Sequence, residues 1–235
     1  MTLPLDKKLH VHYPSSDGKP MADNTRQWNW INFIKNNLEE ATIGQETFVA
    51  SDLFWYPVEG NNKIRVAPDV MVAFSRPKGD RNSYLQWRED NVTPAIVFEV
   101  LSPGNTKKEM AKKLLFYQKY LVEEYYVYDP LLNTLKIYQR KGKKLIDVTT
   151  KNWISPLMKF RMLWTEETLE MYHADGRPFL SHIEISEKMK VAEVEMLKAK
   201  SEADKAKSEA DEANKKAELM AAKLKALGID PDALV

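Results

Sequence analysis

The sequence predicts an α/β fold followed by a long C-terminal coiled-coil helix. Three observations predict it. Helical-period segments and short strand-like runs follow one another along the first two thirds of the chain. Two of the apolar runs, Ala67-Pro68-Asp69-Val70-Met71-Val72 and Ala95-Ile96-Val97-Phe98-Glu99-Val100-Leu101, each enclose one carboxylate. From His182 the composition turns abruptly to alanine, lysine and glutamate, and the apolar residues alternate four and three apart.

Each element has a local reason. Tyr13-Pro14-Ser15-Ser16-Asp17-Gly18 is turn chemistry. A helix from about Asn24 to Glu40 carries Trp28, Ile31, Ile34 and Leu38 at near-helical spacing, with Asp23 or Asn24 as N-cap. Thr47 to Tyr56 reads as one strand stopped by Pro57, and Ile64 to Phe74 as another, with Pro68 marking a bulge or edge. Arg76 to Thr93 is a long polar loop. Pro94 to Leu101 suits a central strand buried on both faces. Thr106 with Glu109 makes a capping box for a helix to about Leu121, whose core stripe is Met110, Leu114, Tyr117 and Leu121. Tyr125 to Asp129 reads as a strand, and Leu135–Gln139 with Lys144–Val148 as a hairpin around Lys141-Gly142. Trp153 to Leu180 is less regular and is expected to pack on the sheet.

The C-terminal segment contains Lys198-Ala199-Lys200-Ser201-Glu202-Ala203-Asp204 repeated identically as residues 205–211. Its seam runs Ile185, Met189, Ala192, Met196, then alanines to Ala217, then Met220, Leu224 and Leu227, with Gly228 as a stop and Pro231 beyond. Alanine buries little area, so self-association through this helix depends on the Met and Leu ends; an isolated charged helix is the alternative.

Bulk properties narrow the function. The chain has 235 residues, 43% apolar, with 35 basic and 34 acidic residues and a formal net charge of +1. A nucleic-acid role therefore needs a local basic patch. There is no cysteine, which excludes disulfides, thiolate zinc sites and a cysteine nucleophile. The first twelve residues lack the apolar core of a signal peptide, and no run approaches a membrane span, so the expected location is cytoplasmic with no membrane contact.

The chemistry centres on Asp69, Glu99 and Lys113. An ionised carboxylate in a buried strand needs compensation. If the two strands are antiparallel, both acids fall at one sheet end, and Lys113 leans back toward them from the next helix. Hard oxygen ligands suit Mg²⁺ or Mn²⁺; a structural Asp–Lys or Glu–Lys pair across the sheet is the alternative. Ser102 orients its loop, caps the helix or touches the site. Tyr117 reads as core. Arg76, Lys78, Arg81 and Arg88 are candidate phosphate contacts, or a solvated loop interrupted by Asp80, Glu89 and Asp90. His10, His12, His173 and His182 are scattered, and the tryptophans read as core.

Ala67-Pro68-Asp69-Val70, then Val97-Phe98-Glu99-Val100-Leu101-Ser102-Pro103-Gly104-Asn105-Thr106, then Lys113 with Tyr117, then Glu124-Tyr125-Tyr126-Val127-Tyr128-Asp129-Pro130 together resemble the Uma-two family of bacterial endonucleases, in the PD-(D/E)xK restriction-endonuclease-like superfamily. The match in order and spacing runs from about Tyr13 to Arg140. The resemblance implies an αβββαβ core with a mixed sheet, Asp69 and Glu99 as catalytic metal ligands, and DNA as substrate. The superfamily's usual lysine position falls on Leu101, so the resemblance assigns that role to Lys113. Relatives often carry Gly-Val where this chain has Leu121-Val122. The first helix offers Asp23, Asn24 and Gln27 early and Glu39 and Glu40 late, with no clear acid for a second metal.

The expected organisation is a nuclease-like domain over residues 1–181, a coiled-coil helix over 182–228 and a tail over 229–235. The expected function is a Mg²⁺-dependent endodeoxyribonuclease. The alternatives are a catalytically weak nuclease-fold module for nucleic-acid or protein binding, assembled through the coiled coil, and an interaction protein in which the coiled coil is the working part.

Overall fold

A computed structural model describes residues 11–16, 18 and 24–226. The chain divides into two compact units, through Leu180 and from Ser181. The sequence-predicted helix stop at Gly228, the residues beyond it, Asp23 and His10 lie outside the described residues.

The first unit is built on a six-stranded mixed sheet. Its strands are β1 (Thr47–Ala50), β3 (Val70–Phe74), β5 (Ile96–Val100), β6 (Glu124–Asp129), β7 (Thr134–Lys141) and β8 (Lys144–Asp147), in that spatial order. All neighbours are antiparallel except β5 and β6, which run parallel. A parallel pair needs a crossover. Helix α2 (Lys107–Lys119) supplies it between β5 and β6. With α1 (Thr25–Glu40) ahead of the sheet, the core reads αβββαβ, as the resemblance implies.

Side-chain alternation sorts the two faces. On one, Ile31, Ile34 and Leu38 of α1 meet Val70, Val72, Phe98, Val100, Tyr126 and Tyr128. On the other, Tyr117 of α2 packs with Met71, Ala73, Val97, Val122 and Tyr125. Asn24 caps α1, its Oδ1 accepting from the Gln27 N–H at 2.9 Å. Trp28, expected in the apolar stripe, is 40% exposed, and Gln27 is buried in its stead.

Four local departures from the sequence-based expectation have physical causes. The predicted strand from Thr47 to Tyr56 breaks at Asp52, whose backbone turns to φ 47°. The remainder, β2 (Trp55–Tyr56), pairs in parallel with β4 (Tyr84–Leu85) inside the long polar loop. The strand expected from Ile64 begins at Val70; before it, Val66 makes one bridge with Trp55. Residues 153–180, expected to be irregular, form an antiparallel sheet of β9 (Asn152–Ile154), β10 (Arg161–Trp164) and β11 (Leu169–Tyr172). Its Phe160, Met162, Leu169 and Met171 complete the α1 face of the core.

The end of α2 also differs. Leu121, expected on the core stripe, is 60% exposed and sits past the helix at φ 65°. The Val122 N–H donates to the Tyr117 carbonyl at 3.0 Å and the Leu121 N–H to Gln118 at 3.5 Å. This is a Schellman closure with leucine where glycine is usual. Arg140 of β7 secures the same end, donating to the carbonyls of Val122, Gln118 and Tyr117 at 2.8, 3.0 and 3.3 Å.

Among the described residues, the second unit consists of the helix α3 (His182–Ala226), with no residue buried. Met189, Met196 and Met220 of the predicted seam are all exposed. No helix among the described residues is long and apolar enough to cross a membrane.

Candidate active site

β3 and β5 are antiparallel with Val70 opposite Phe98, which sets Asp69, one residue earlier, across from Glu99, one residue later. Both acids therefore occupy the sheet end at which α2 begins. Thr106 caps α2 there, its Oγ1 accepting from the Glu109 N–H at 3.2 Å. Two turns along, Lys113 returns to the sheet, and its Nζ donates to Glu99 Oε2 at 2.7 Å. One turn further, the Tyr117 hydroxyl donates to Glu99 Oε1 at 2.5 Å. Glu99, with its side chain 2% exposed, is held at both oxygens. The Val100 N–H donates to Asp69 Oδ2 at 2.6 Å.

The electrostatics follow from this crowding. Burial, and then the charge of Glu99, push the Asp69 carboxyl well above the usual carboxylate range, against the pull of Lys113 and the Val100 N–H. Burial would lower Lys113, but Glu99 and Asp69 outweigh it and keep its ammonium above the ordinary lysine value. Burial and Glu99 together raise the Tyr117 phenol well above its ordinary value, so Tyr117 acts here as a hydrogen-bond donor. The Tyr125 hydroxyl is buried without a hydrogen-bond partner, and it feels the charges of Glu99 and Asp69.

The sequence-predicted trio of Asp69, Glu99 and Lys113 is thus brought together. Sequence reasoning gives three neighbours no contact at this sheet end. Tyr117, read as core, touches Glu99; its spacing of four from Lys113 put both on one helix face and was the available signal. Gln27 is buried and donates from Nε2 to the Val100 carbonyl at 2.8 Å, which brings α1 to the same sheet end. Asp52 donates its N–H to the Pro68 carbonyl at 3.0 Å, and its charge raises Asp69 further. Only the turn it creates could have revealed it. Leu101 makes a backbone bond to Tyr128. Ser102 donates its N–H and its hydroxyl to Asn105 Oδ1 at 2.9 and 3.2 Å.

The polar loop is largely self-paired. Arg76 meets Asp90 at 2.6 Å. Arg81 grips Glu89 through two nitrogens and lies over the Phe48 ring. Lys78 and Arg88 are exposed.

Among the described residues no three His, Asp or Glu side chains gather in the manner of a metal cage. Two facing carboxylates are nevertheless a fitting donor set for Mg²⁺ or Mn²⁺, which bind through one or two carboxylates and take their other ligands from water and phosphate. The mutual repulsion at Asp69 and the unpartnered Tyr125 hydroxyl beside it are the strains such an ion with its waters would relieve.

Residues 15–171 match the model of the Uma2 family, described as "Putative restriction endonuclease". A comparison with curated proteins finds no match. Among solved structures, the chain is similar to a "putative nuclease belonging to DUF820 from Anabaena variabilis ATCC 29413", at 16% identity and a TM-score of 0.42, over 63% of this chain and 86% of that one.

Proposed function

The chain belongs to the Uma2 family, and from that premise we propose that it is a metal-dependent endodeoxyribonuclease that hydrolyses DNA phosphodiester bonds at Asp69, Glu99 and Lys113. The observation that carries the reading is the reach of Lys113 from α2 to Glu99, 2.7 Å away, which supplies the cation that Leu101 cannot.

Asp69 and Glu99 would hold Mg²⁺ or Mn²⁺. When bound, such an ion lowers the pKa of water and neutralises charge on the phosphate. Lys113 brings a fixed positive charge to the negative charge that develops as a phosphodiester is attacked. Tyr117 keeps the Glu99 carboxylate in one orientation. Gln27 does the same for the Val100 backbone beside it. The exposed apolar positions of α3, Met189 and Met196 at one end and Met220 at the other, support self-association, which would bring two such sites together for cuts on both strands.

One observation favours a second reading. Glu99 already satisfies Lys113 and Tyr117, so a catalytically weak nuclease-fold module that binds nucleic acid is the alternative. Supercoiled plasmid incubated with Mg²⁺, Mn²⁺ or EDTA separates them. The nuclease reading expects nicking with either metal, none in EDTA, and none by Asp69→Ala. Equal nicking by Asp69→Ala sinks it, and metal-promoted binding without nicking favours the module.

A further inference from the structure

The net charge of +1 conceals an uneven distribution. In α3, ten lysines stand against ten acids. Two of the three arginines in the polar loop of the first unit, Arg76 and Arg81, are neutralised by the loop's own acids. Around α2 the balance breaks. Lys108, Lys112 and Lys119 are spaced four and seven apart, which keeps them on one side of the helix over about 17 Å. All three are exposed, and Glu109 is the only acid on α2.

The β7–β8 turn continues this surface. The Leu145 N–H of β8 donates to Gln118 Oε1 at 3.2 Å, and Arg140 of β7 holds the last carbonyls of α2, so the turn is anchored beside the helix C-terminus. The turn carries Lys141, Lys143 and Lys144, all exposed. Apart from Glu109, the acids of this region are already engaged: Asp147 with Lys136 at 3.0 Å, Glu123 with Arg140 at 3.5 Å, and Glu99 with Lys113. No carboxylate among the described residues lies within ion-pair distance of the six lysines.

We infer that the outer side of α2 and the β7–β8 turn form a phosphate-binding track for duplex DNA, running from the Glu99–Lys113 site to the turn. Three features argue for it. The same helix carries Lys113 inward and Lys112, its neighbour, outward, so a backbone held by the outer lysines lies next to the candidate site. Unpaired lysines are the chemistry that displaces counterions from a polyphosphate. Lysine stems make point contacts without a fixed fork, which suits backbone and not base recognition. The inference rests on the nuclease reading for its choice of DNA, and displaces the polar loop as the principal phosphate contact.

The test is fluorescence anisotropy of a short labelled DNA duplex with the full chain in EDTA, titrated across a range of salt. Lys108→Ala with Lys112→Ala, and separately Lys143→Ala with Lys144→Ala, are each expected to weaken binding more than about tenfold at moderate salt and to lower the slope of log K against log salt by about 2. Lys78→Ala with Arg88→Ala is expected to leave the slope unchanged. Exposed alanines favour a helix, and circular dichroism of the α2 pair is expected to match the wild type. Wild-type affinity and slope in both lysine pairs, a loss confined to the loop pair, or no duplex binding by the wild type would overturn the track. The two readings fail separately. A chain that nicks plasmid while both lysine pairs bind normally keeps the nuclease and loses the track. One that never nicks, but whose slope falls in the pairs, keeps the track alone.

Discussion

Asp69 and Glu99 face each other from antiparallel strands, and burial together with the charge of Glu99 holds the Asp69 carboxyl well above its ordinary range. Folding raises this pKa, so above the ordinary carboxylate value the folded chain binds more protons here than the unfolded one. The contribution of this group to stability is therefore present in acid and is lost as pH climbs through the raised value. Asp69→Asn keeps an oxygen for the Val100 N–H and removes the charge. In EDTA at neutral pH it is expected to raise Tm by roughly 3 °C or more and to flatten the dependence of Tm on pH. Mg²⁺ is expected to raise the Tm of the wild type and not of the variant. A neutral-pH Tm below wild type would show that repulsion at Asp69 is not limiting.

Lys113 is the only cation in contact with Glu99 among the described residues. Lys113→Met strands a buried carboxylate with Tyr117 alone, and urea unfolding is expected to show a loss of about 3 kcal/mol. Adding Glu99→Gln is expected to recover much of it. Losses that simply add would mean the pair carries no coupling.

Leu121 occupies the left-handed region at the close of α2 with its side chain 60% exposed. A leucine there costs about 1 kcal/mol that glycine does not. Leu121→Gly is expected to stabilise the protein by about that amount in urea melts, and Leu121→Val to destabilise it.

Glu124, 1% exposed, accepts from the hydroxyls of Tyr126 and Ser155, both at 2.7 Å, and from the Leu157 N–H at 2.9 Å. It ties β6 to the turn between β9 and β10. Glu124→Ala leaves two buried hydroxyls and the part-buried Leu157 N–H unsatisfied and is expected to cost about 3 kcal/mol. Hydrogen exchange is expected to rise first in β9–β11. Uniform acceleration across the main sheet would contradict this local role.

The seam of α3 is exposed from Met189 to Met220, with Ile185 and Leu224 half-buried. Light scattering is expected to show the full chain self-associated and a chain ending at Leu180 monomeric. An unchanged mass after truncation would place the contacts elsewhere.

The legible parts of the fold were those with local causes. Thr106 capped α2, Asn24 capped α1, and the apolar run around Glu99 became the central strand. The grouping of Asp69, Glu99 and Lys113 was legible because a carboxylate in or beside an apolar strand is conspicuous and asks for a partner. What escaped depended on contacts distant in sequence. Gln27 meets the backbone of a residue 73 positions away, and β9–β11 are short strands ordered by the core they cover. Tyr117 escaped for another reason: its ring is core and its hydroxyl is site, and periodicity reports only the ring.

The cation that reaches Glu99 travels on a helix, while Glu99 sits on β5 and Asp69 one residue ahead of β3. The two are therefore indexed by different periods. A lysine on β5 would keep its facing through any change in the length of the following segment. Lys113 does not have that freedom, since one residue added or lost within the first two turns of α2 swings it by about 100° away from the sheet. On the proposed reading position 101 carries no chemistry, and natural variation should show the reverse tolerance: free exchange of side chains at Leu101, and a fixed residue count between Thr106 and Lys113.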